Sequence, residues 1–258
     1  MTALNFNLPD IPNPLDYFVE FVDNNLWDFI VIKTNLYADQ KLSNSPECLA
    51  NFVPVTRAEM KAFIGINIII GLPQSALYWP ADDHFRNLGI KKVMTGNRFQ
   101  EINCYFHFSD SSVEPAQGTP GFNHLYKIRR IFDYVLVNCQ TMFKPTKNLS
   151  VDEAMIGFRG RLYLRQYMPA KATKYGIKVW MVADSSSGYV LNFDVYLGKE
   201  VDGCWRIHGL GYDVVTKFIR PYTNRSHHVF FDIFSMSTKL LEHLETNGTY
   251  ACRTYHHA

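Results

Sequence analysis

Residues 149–180 read LSVDEAMIGFRGRLYLRQYMPAKATKYGIKVW. A short apolar run, Leu149-Ser150-Val151, ends on two carboxylates, Asp152 and Glu153, and the charges beyond them are all cations: Arg159, Arg161, Arg165, Lys171, Lys174 and Lys178. From Tyr175 onward, YGIKVWMVA and YVLNFDVYL alternate apolar with polar residues on either side of DSSSG, a pattern that predicts a β-hairpin. Neighbouring residues of a strand point to opposite faces, so Leu191, Phe193, Val195 and Leu197 are expected to face inward and Asn192 and Asp194 outward. Downstream, GYDVVTKFIRPY predicts a helix, and HHVFFD has the unbroken apolar run of a central strand. TKLLEHLETN predicts a helix capped by Ser235 or Ser237 and ended by Gly248, and TYACRTY reads as a last strand. The expected order is β, β-hairpin, α, β, α, β.

Upstream of residue 145 the period is that of a helix. LDYFVEFVDNNLWDFIVIKTNLYADQKL repeats apolar positions every three or four residues without Gly or Pro, which predicts one long helix. In VTRAEMKAFIGINIIIGLP, Thr56 and Glu59 form a capping box, and Gly71 with Pro73 closes the helix. Two more helices are expected in NRFQEINCYFHF and HLYKIRRIFDYVLVNCQTMF, the latter with Leu125, Ile128, Phe132, Val135 and Cys139 on one face. Between them SDSSVEPAQGTPGFN reads as a loop. The change of period divides the chain into a helical region, 1–145, and a sheet-containing region, 146–258, an α/β (α+β) architecture overall.

With 258 residues of which 47% are hydrophobic, the chain can fill a real core, and 15% aromatic residues exclude a disordered polymer. Residues 1–60 hold eight acids against three bases and the remainder sixteen against twenty-three, so the basic excess lies in the later part, where it fits a polyanionic partner. Five cysteines, odd in number and without a CxxC, point to neither a disulfide framework nor a zinc knuckle, and to a reducing compartment. The start has no cationic segment followed by an apolar one, and the longest apolar stretch, FIGINIIIGL, is about half a membrane span. An intracellular protein without membrane partners is expected.

Asp152 and Asp232 each end an apolar run, and in α/β sheets the carboxyl ends of strands are where function collects. Two such acids on adjacent strands would repel unless a divalent ion lay between them, and Mg²⁺ suits carboxylate and phosphate oxygens. The cations from Arg159 to Lys178 would then hold a phosphodiester backbone, and their interleaving with Tyr163, Tyr167 and Tyr175 suits nucleic acid. The plainer readings are a solvated strand-end acid at Asp152, a helix-capping role for Asp232 and a solvated basic surface. Glu153 reads as an ion-pair partner, Asp184 as a turn residue, Asp194 as an exposed strand residue, and Trp79, Trp180 and Trp205 as core. Cys252, His256 and His257 read as an exposed tail.

The stretch from LSVDEAM to YLGKE, with GLGYDVV and HHVFFDIFSMSTKLLEHLETNGTYAC after it, resembles the transposase domain of piggyBac elements and of the domesticated proteins derived from them. TNLYADQK, EMKAFIGINIIIGLP, NRFQEINCYFHFSD and LYKIRRIFDY extend the resemblance over nearly the whole chain. It implies an RNase H-like mixed sheet with flanking helices, here incomplete, and earlier helices that help to bind DNA and dimerise. It implies that three aspartates hold two metal ions, Mg²⁺ or Mn²⁺. The first two fall on Asp152 and Asp232, while the third, expected beyond TYAC, has no counterpart, and neither has the family's cysteine-rich zinc module. Ile233 stands where the family has Asn, and Arg253-Thr254 where it has Gly-Thr. The resemblance thus implies a nuclear protein that once cleaved and joined DNA and now binds it without catalysis, with no small-molecule substrate. The alternatives are a residually active Mg²⁺ nuclease that recruits an acid such as Glu153, and a non-functional fragment.

Overall fold

A computed structural model describes residues 4–44, 52–71, 79, 88–198, 208–232 and 237–253. Pro73, Trp205, Ile233, Ser235 and the tail with His256 and His257 lie outside the described residues. Two compact units emerge, one of Leu8–Tyr134 and one of Val135–Ala258 together with Met1–Asn7.

The first unit is helical. In place of the single long helix expected from Leu15 onward there are two, α1 (Pro14–Phe21) and α2 (Asn24–Asn44). The interruption is Asp23-Asn24-Asn25, whose short polar side chains compete with the backbone for its hydrogen bonds. Asp23 Oδ1 accepts the Leu26 amide at 2.8 Å, the work of an N-cap. That amide, as the main cause, holds the Asp23 carboxyl below its usual range. Asp23→Ala is expected to cost about 1 kcal/mol of stability, measured as a lower denaturant midpoint with an unchanged slope. α3 (Arg57–Ile70) has the expected capping box, and Gly71 ends it in the left-handed region at φ 36°. α4 (Leu88–Val93) and α5 (Gly96–Tyr105) come next. Trp27, Ile30, Met60, Phe63, Ile66 and Phe99 form the core of this unit, with Trp79 packed against it as expected and its indole donating to the Met94 carbonyl at 3.0 Å.

The division between units falls within α6 (Arg129–Thr141), ahead of the boundary expected near residue 145. Ile131 and Tyr134 pack in the first core, whereas Phe143, just beyond the helix, belongs to the second. The face expected for this segment is therefore not continuous: Leu125 and Cys139 are buried, and Ile128 is 41% exposed.

In the second unit the described strands are β1 (Asn148–Gly157), β2 (Arg165–Tyr167), β3 (Tyr175–Asp184), β4 (Val190–Val195), β5 (His228–Phe231) and β6 (Tyr250–Arg253). They form one mixed sheet in the order β2-β3-β1-β5-β6, with β4 also on β3. β3 runs antiparallel to β1, β2 and β4, while β1, β5 and β6 are mutually parallel. α7 (Leu210–Ile219) and α8 (Thr238–Thr246) make the crossovers, and Ser237 caps α8 by accepting the Leu240 amide. The order of elements is the one expected except for β2, an additional short strand between β1 and the hairpin. Leu149, Val151, Trp180, Val182, Val229 and Phe231 turn one face of the sheet to Val214, Val215, Phe218 and Leu240 of the helices.

Three local expectations change, the first at Asp194, which does not face outward but stands opposite Trp180 and accepts from Lys217 Nζ of α7 at 2.7 Å. A register shift between Val182 and Ala183 buries Leu191 and Asn192 together, so Asn192 does not face out. Its amide donates to the Phe218 carbonyl at 3.1 Å and its oxygen accepts from Gln140 at 3.2 Å, satisfying a polar group in the core. Likewise β1 does not stop at Asp152 but runs five residues further, because Glu153 to Gly157 pair with Gly176 to Trp180 of β3.

Candidate carboxylate pair and nucleic-acid interface

The parallel ladder of β1 and β5 pairs Asn148 with His228 through to Val151 with Phe231. The next residue on each strand is an aspartate, Asp152 on β1 and Asp232 immediately after β5. Val151 and Phe231 are buried in the core; strand alternation turns Asp152 to the opposite face, and both aspartates are exposed. Remote from each other in sequence, they each follow the last paired residue of two neighbouring parallel strands. Asp152 Oδ1 accepts the Glu153 amide at 2.7 Å, which fixes the orientation of that carboxylate. Two hard oxygen donors in the open are a donor set that fits Mg²⁺ or Mn²⁺. Among the described residues no group of three or more His, Cys, Asp and Glu side chains gathers.

Glu153, one residue on, lies on the helix-covered face opposite Trp180. Lys171 Nζ sits 3.3 Å from its Oε1 and 3.4 Å from its carbonyl oxygen, so this ion pair ties the segment after β2 to β1. Lys178 lies on the same face, 4.0 Å from the centroid of the Trp180 ring and 5.7 Å from that of Tyr196. Burial pushes the Lys178 amine below its ordinary value, and the Glu153 charge pulls the other way. Of the six cations singled out in the sequence, Lys171 and Lys178 are therefore engaged within the fold.

Arg159, Arg161, Arg165 and Lys174 are exposed along the arm formed by the far end of β1, β2 and the start of β3. Arg165 donates to the carbonyls of Arg159 and Gly160, at 3.3 and 3.2 Å, and lies over the Tyr175 ring. Its guanidinium curls the Arg159–Gly160 turn around itself. In the ladder Arg165 pairs with Ile177, Tyr167 with Tyr175, and Ile156 with Ile177. Alternation places Arg165, Tyr167 and Tyr175 on the face that carries Asp152. Sequence reasoning missed this partition of the cations between two faces, and missed Gly157 and Gly176, which form the last pair of the β1–β3 ladder, within the arm. Two glycines within otherwise apolar, strand-forming runs were the available signal.

A family model described as Transposase IS4 matches residues 13–256. The chain belongs to that family of DDE transposases. More particularly it is of the piggyBac type: it is 25% identical over 248 residues to human PiggyBac transposable element-derived protein 3, covering 93% of this chain and 39% of that protein. To human PiggyBac transposable element-derived protein 5 it is 27% identical over 259 residues, covering 95% and 47%. The chain thus spans less than half the length of these curated relatives. A cryo-EM structure of the piggyBac transposase synaptic complex with hairpin DNA shares the fold, with a TM-score of 0.81 and 24% identity over 99% of this chain and 53% of that one. No helix among the described residues is long and apolar enough to cross a membrane.

Proposed function

We propose that this chain is a DNA-binding protein derived from a piggyBac transposase, in which Asp152 and Asp232 are the remnant of a site for metal-dependent DNA cleavage and strand transfer. The observation that supports the reading is the parallel pairing of β1 with β5, whose last paired residues, Val151 and Phe231, directly precede Asp152 and Asp232. Asp152 and Asp232 would hold a Mg²⁺ or Mn²⁺ ion, which when bound supplies positive charge to phosphate oxygens. Arg159, Arg161, Arg165 and Lys174 hold the backbone, the partner of the similar transposase complex being DNA. Ile233 in place of the family's Asn, beside Asp232, motivates the non-catalytic reading. A nuclear location and a homodimer belong to the same proposal and rest on the relatives.

Replacing Arg159, Arg161 and Lys174 by alanine is expected to weaken binding to duplex DNA at least about tenfold and to flatten the salt dependence, by roughly 0.9 in log–log slope for each phosphate no longer neutralised. Lys171→Ala and Lys178→Ala should change the slope little. Unchanged affinity and slope in the triple variant would remove the interface. Incubating the protein with a labelled DNA end and Mg²⁺ or Mn²⁺ tests the nuclease alternative, which the paired carboxylates favour: products that disappear in Asp152→Ala would make the chain an enzyme.

A further inference from the structure

The helix-covered face of the sheet carries a concavity that the DNA-binding reading leaves unused. It lies between β4 and α7, within the sheet-containing unit, and measures about 340 Å³, with Trp180, Asp194, Tyr196, Leu210, Asp213 and Lys217 among its walls. That is the lower end of the range for ligand pockets, a size suited to a single side chain. Its walls hold the carboxylates of Asp194 and Asp213 against the one ammonium of Lys217, so negative charge is left over. Asp194 Oδ1 accepts the Val195 amide at 2.9 Å, and its Oδ2 accepts Lys217 Nζ at 2.7 Å. Asp213, in the first turn of α7, is half-buried, and its carboxylate has no hydrogen-bond or ion-pair partner among the described residues. Lys217 stands one turn further along the same helix, the spacing at which an acid and a base can pair, yet it reaches Asp194 instead. The first turn of a helix favours an acid through the helix dipole. That accounts for Asp213 but not for a second acid and an aromatic wall beside it.

The side chains around the pocket show what it attracts. Lys217, 67% exposed, is an ammonium of this chain drawn to Asp194 and to within 5.7 Å of the Phe218 ring centroid, and Lys178 Nζ lies 4.0 Å from that of Trp180. An ion pair as exposed as that of Lys217 is weak, and a ligand cation can displace it. We propose that this pocket receives an arginine side chain from a protein partner. Its guanidinium meets the Asp213 carboxylate and displaces Lys217 from Asp194, while its aliphatic stem lies on Leu210 and Tyr196. A guanidinium is weakly hydrated, forks onto carboxylates and stacks on rings, whereas a lysine ammonium is a strongly hydrated point charge. An anion would face two carboxylates, and a neutral side chain would leave them unpaired. None of the cations assigned to DNA lines the pocket, so the inference stands apart from the DNA-binding reading.

The test is an NMR titration of the whole chain, followed at its backbone amides, with a short blocked peptide that carries a single arginine among glycines and serines. The same peptide is made with citrulline, which has the shape of arginine without its charge, and with lysine. The arginine peptide is expected to shift the amides of Tyr196, Asp213 and Lys217 in a saturable way, and to bind at least about tenfold tighter than the citrulline peptide and about fivefold tighter than the lysine peptide. Asp213→Asn should weaken the arginine peptide about tenfold. Lys217→Met removes the internal competitor and should tighten binding about threefold, a gain that a merely structural lysine would not give. If Asp213→Asn does not fold, Asp194→Asn serves in its place, with the same weakening expected. Equal binding of the arginine and citrulline peptides, shifts confined to other amides, or a Lys217→Met chain that binds no tighter than the parent would overturn the proposal. Lysine bound as tightly as arginine would overturn the assignment to a guanidinium.

Discussion

Replacing Gly176 with alanine is expected to destabilise the sheet-containing unit by roughly 3 kcal/mol, near the upper end for overpacking, and to loosen the arm. A Cβ at Gly176 would overlap the Ile156 carbonyl oxygen and stand 2.9 Å from its carbon and 3.3 Å from the Gly157 Cα. These are backbone atoms of a paired strand, so relief requires the ladder to part. The collision lies at the far end of β1, where Gly176 pairs with both Gly157 and Gln166, so relief would disturb the β2–β3 ladder as well. Gly65 offers the contrast. It lies inside α3 with no atom of a neighbouring element within 4 Å of where an alanine methyl would stand, and Gly65→Ala should stabilise by about 0.5–1 kcal/mol through helix propensity. Denaturant unfolding of the two variants beside the parent checks both signs. A Gly176→Ala protein as stable as the parent would mean that the two strands are not in this register.

Asp184→Asn is the second large effect, expected at about 3 kcal/mol near neutral pH. The residue is fully buried at the end of β3. Oδ1 accepts the Thr146 amide at 2.8 Å and the Thr146 hydroxyl, and Oδ2 accepts the Ser187 amide and hydroxyl at 2.9 and 2.7 Å. An asparagine would turn an NH₂ group toward two of these donors. Burial pushes the Asp184 carboxyl up, but the hydrogen bonds from Thr146 and Ser187 together outweigh it and leave the carboxyl below its usual value. A carboxyl lowered by folding contributes stability that is complete above its unfolded value near 4 and is lost as pH falls through the lower folded value. The gap between parent and variant should therefore be widest near neutrality and shrink on acidification. Midpoints measured across that range check it, and a constant gap would assign the loss to shape instead of charge.

The helices and strands were legible because their periods differ and their punctuation is local. The capping box of Thr56 and Glu59 and the hairpin after Asp184 are decided within a few residues. The illegible parts depend on pairing between distant residues or on a local contest. The break at Asp23 required weighing three short polar residues against an apolar period that never faltered. The burial of Asn192 comes from a register shift that no single strand records. Asp152 and Asp232 could be named as candidates, but their adjacency is a property of the β1–β5 ladder. Lys178 looked like its neighbours Arg165 and Lys174 because, on an extended arm, the face to which a side chain turns is set by the ladder and not by residue type.

The long antiparallel arm and the parallel β1–β5 pair also differ in when they can form during folding. β1 finds β3 across a modest loop, whereas it meets β5 only after a far longer stretch of chain has been gathered in, and such closures are slow because chain entropy is lost before contacts compensate. The neighbouring strand ends made by that closure are absent from intermediates in which only the arm has formed. In refolding experiments, protection of the β1–β3 backbone amides from exchange should therefore precede protection of the β1–β5 amides.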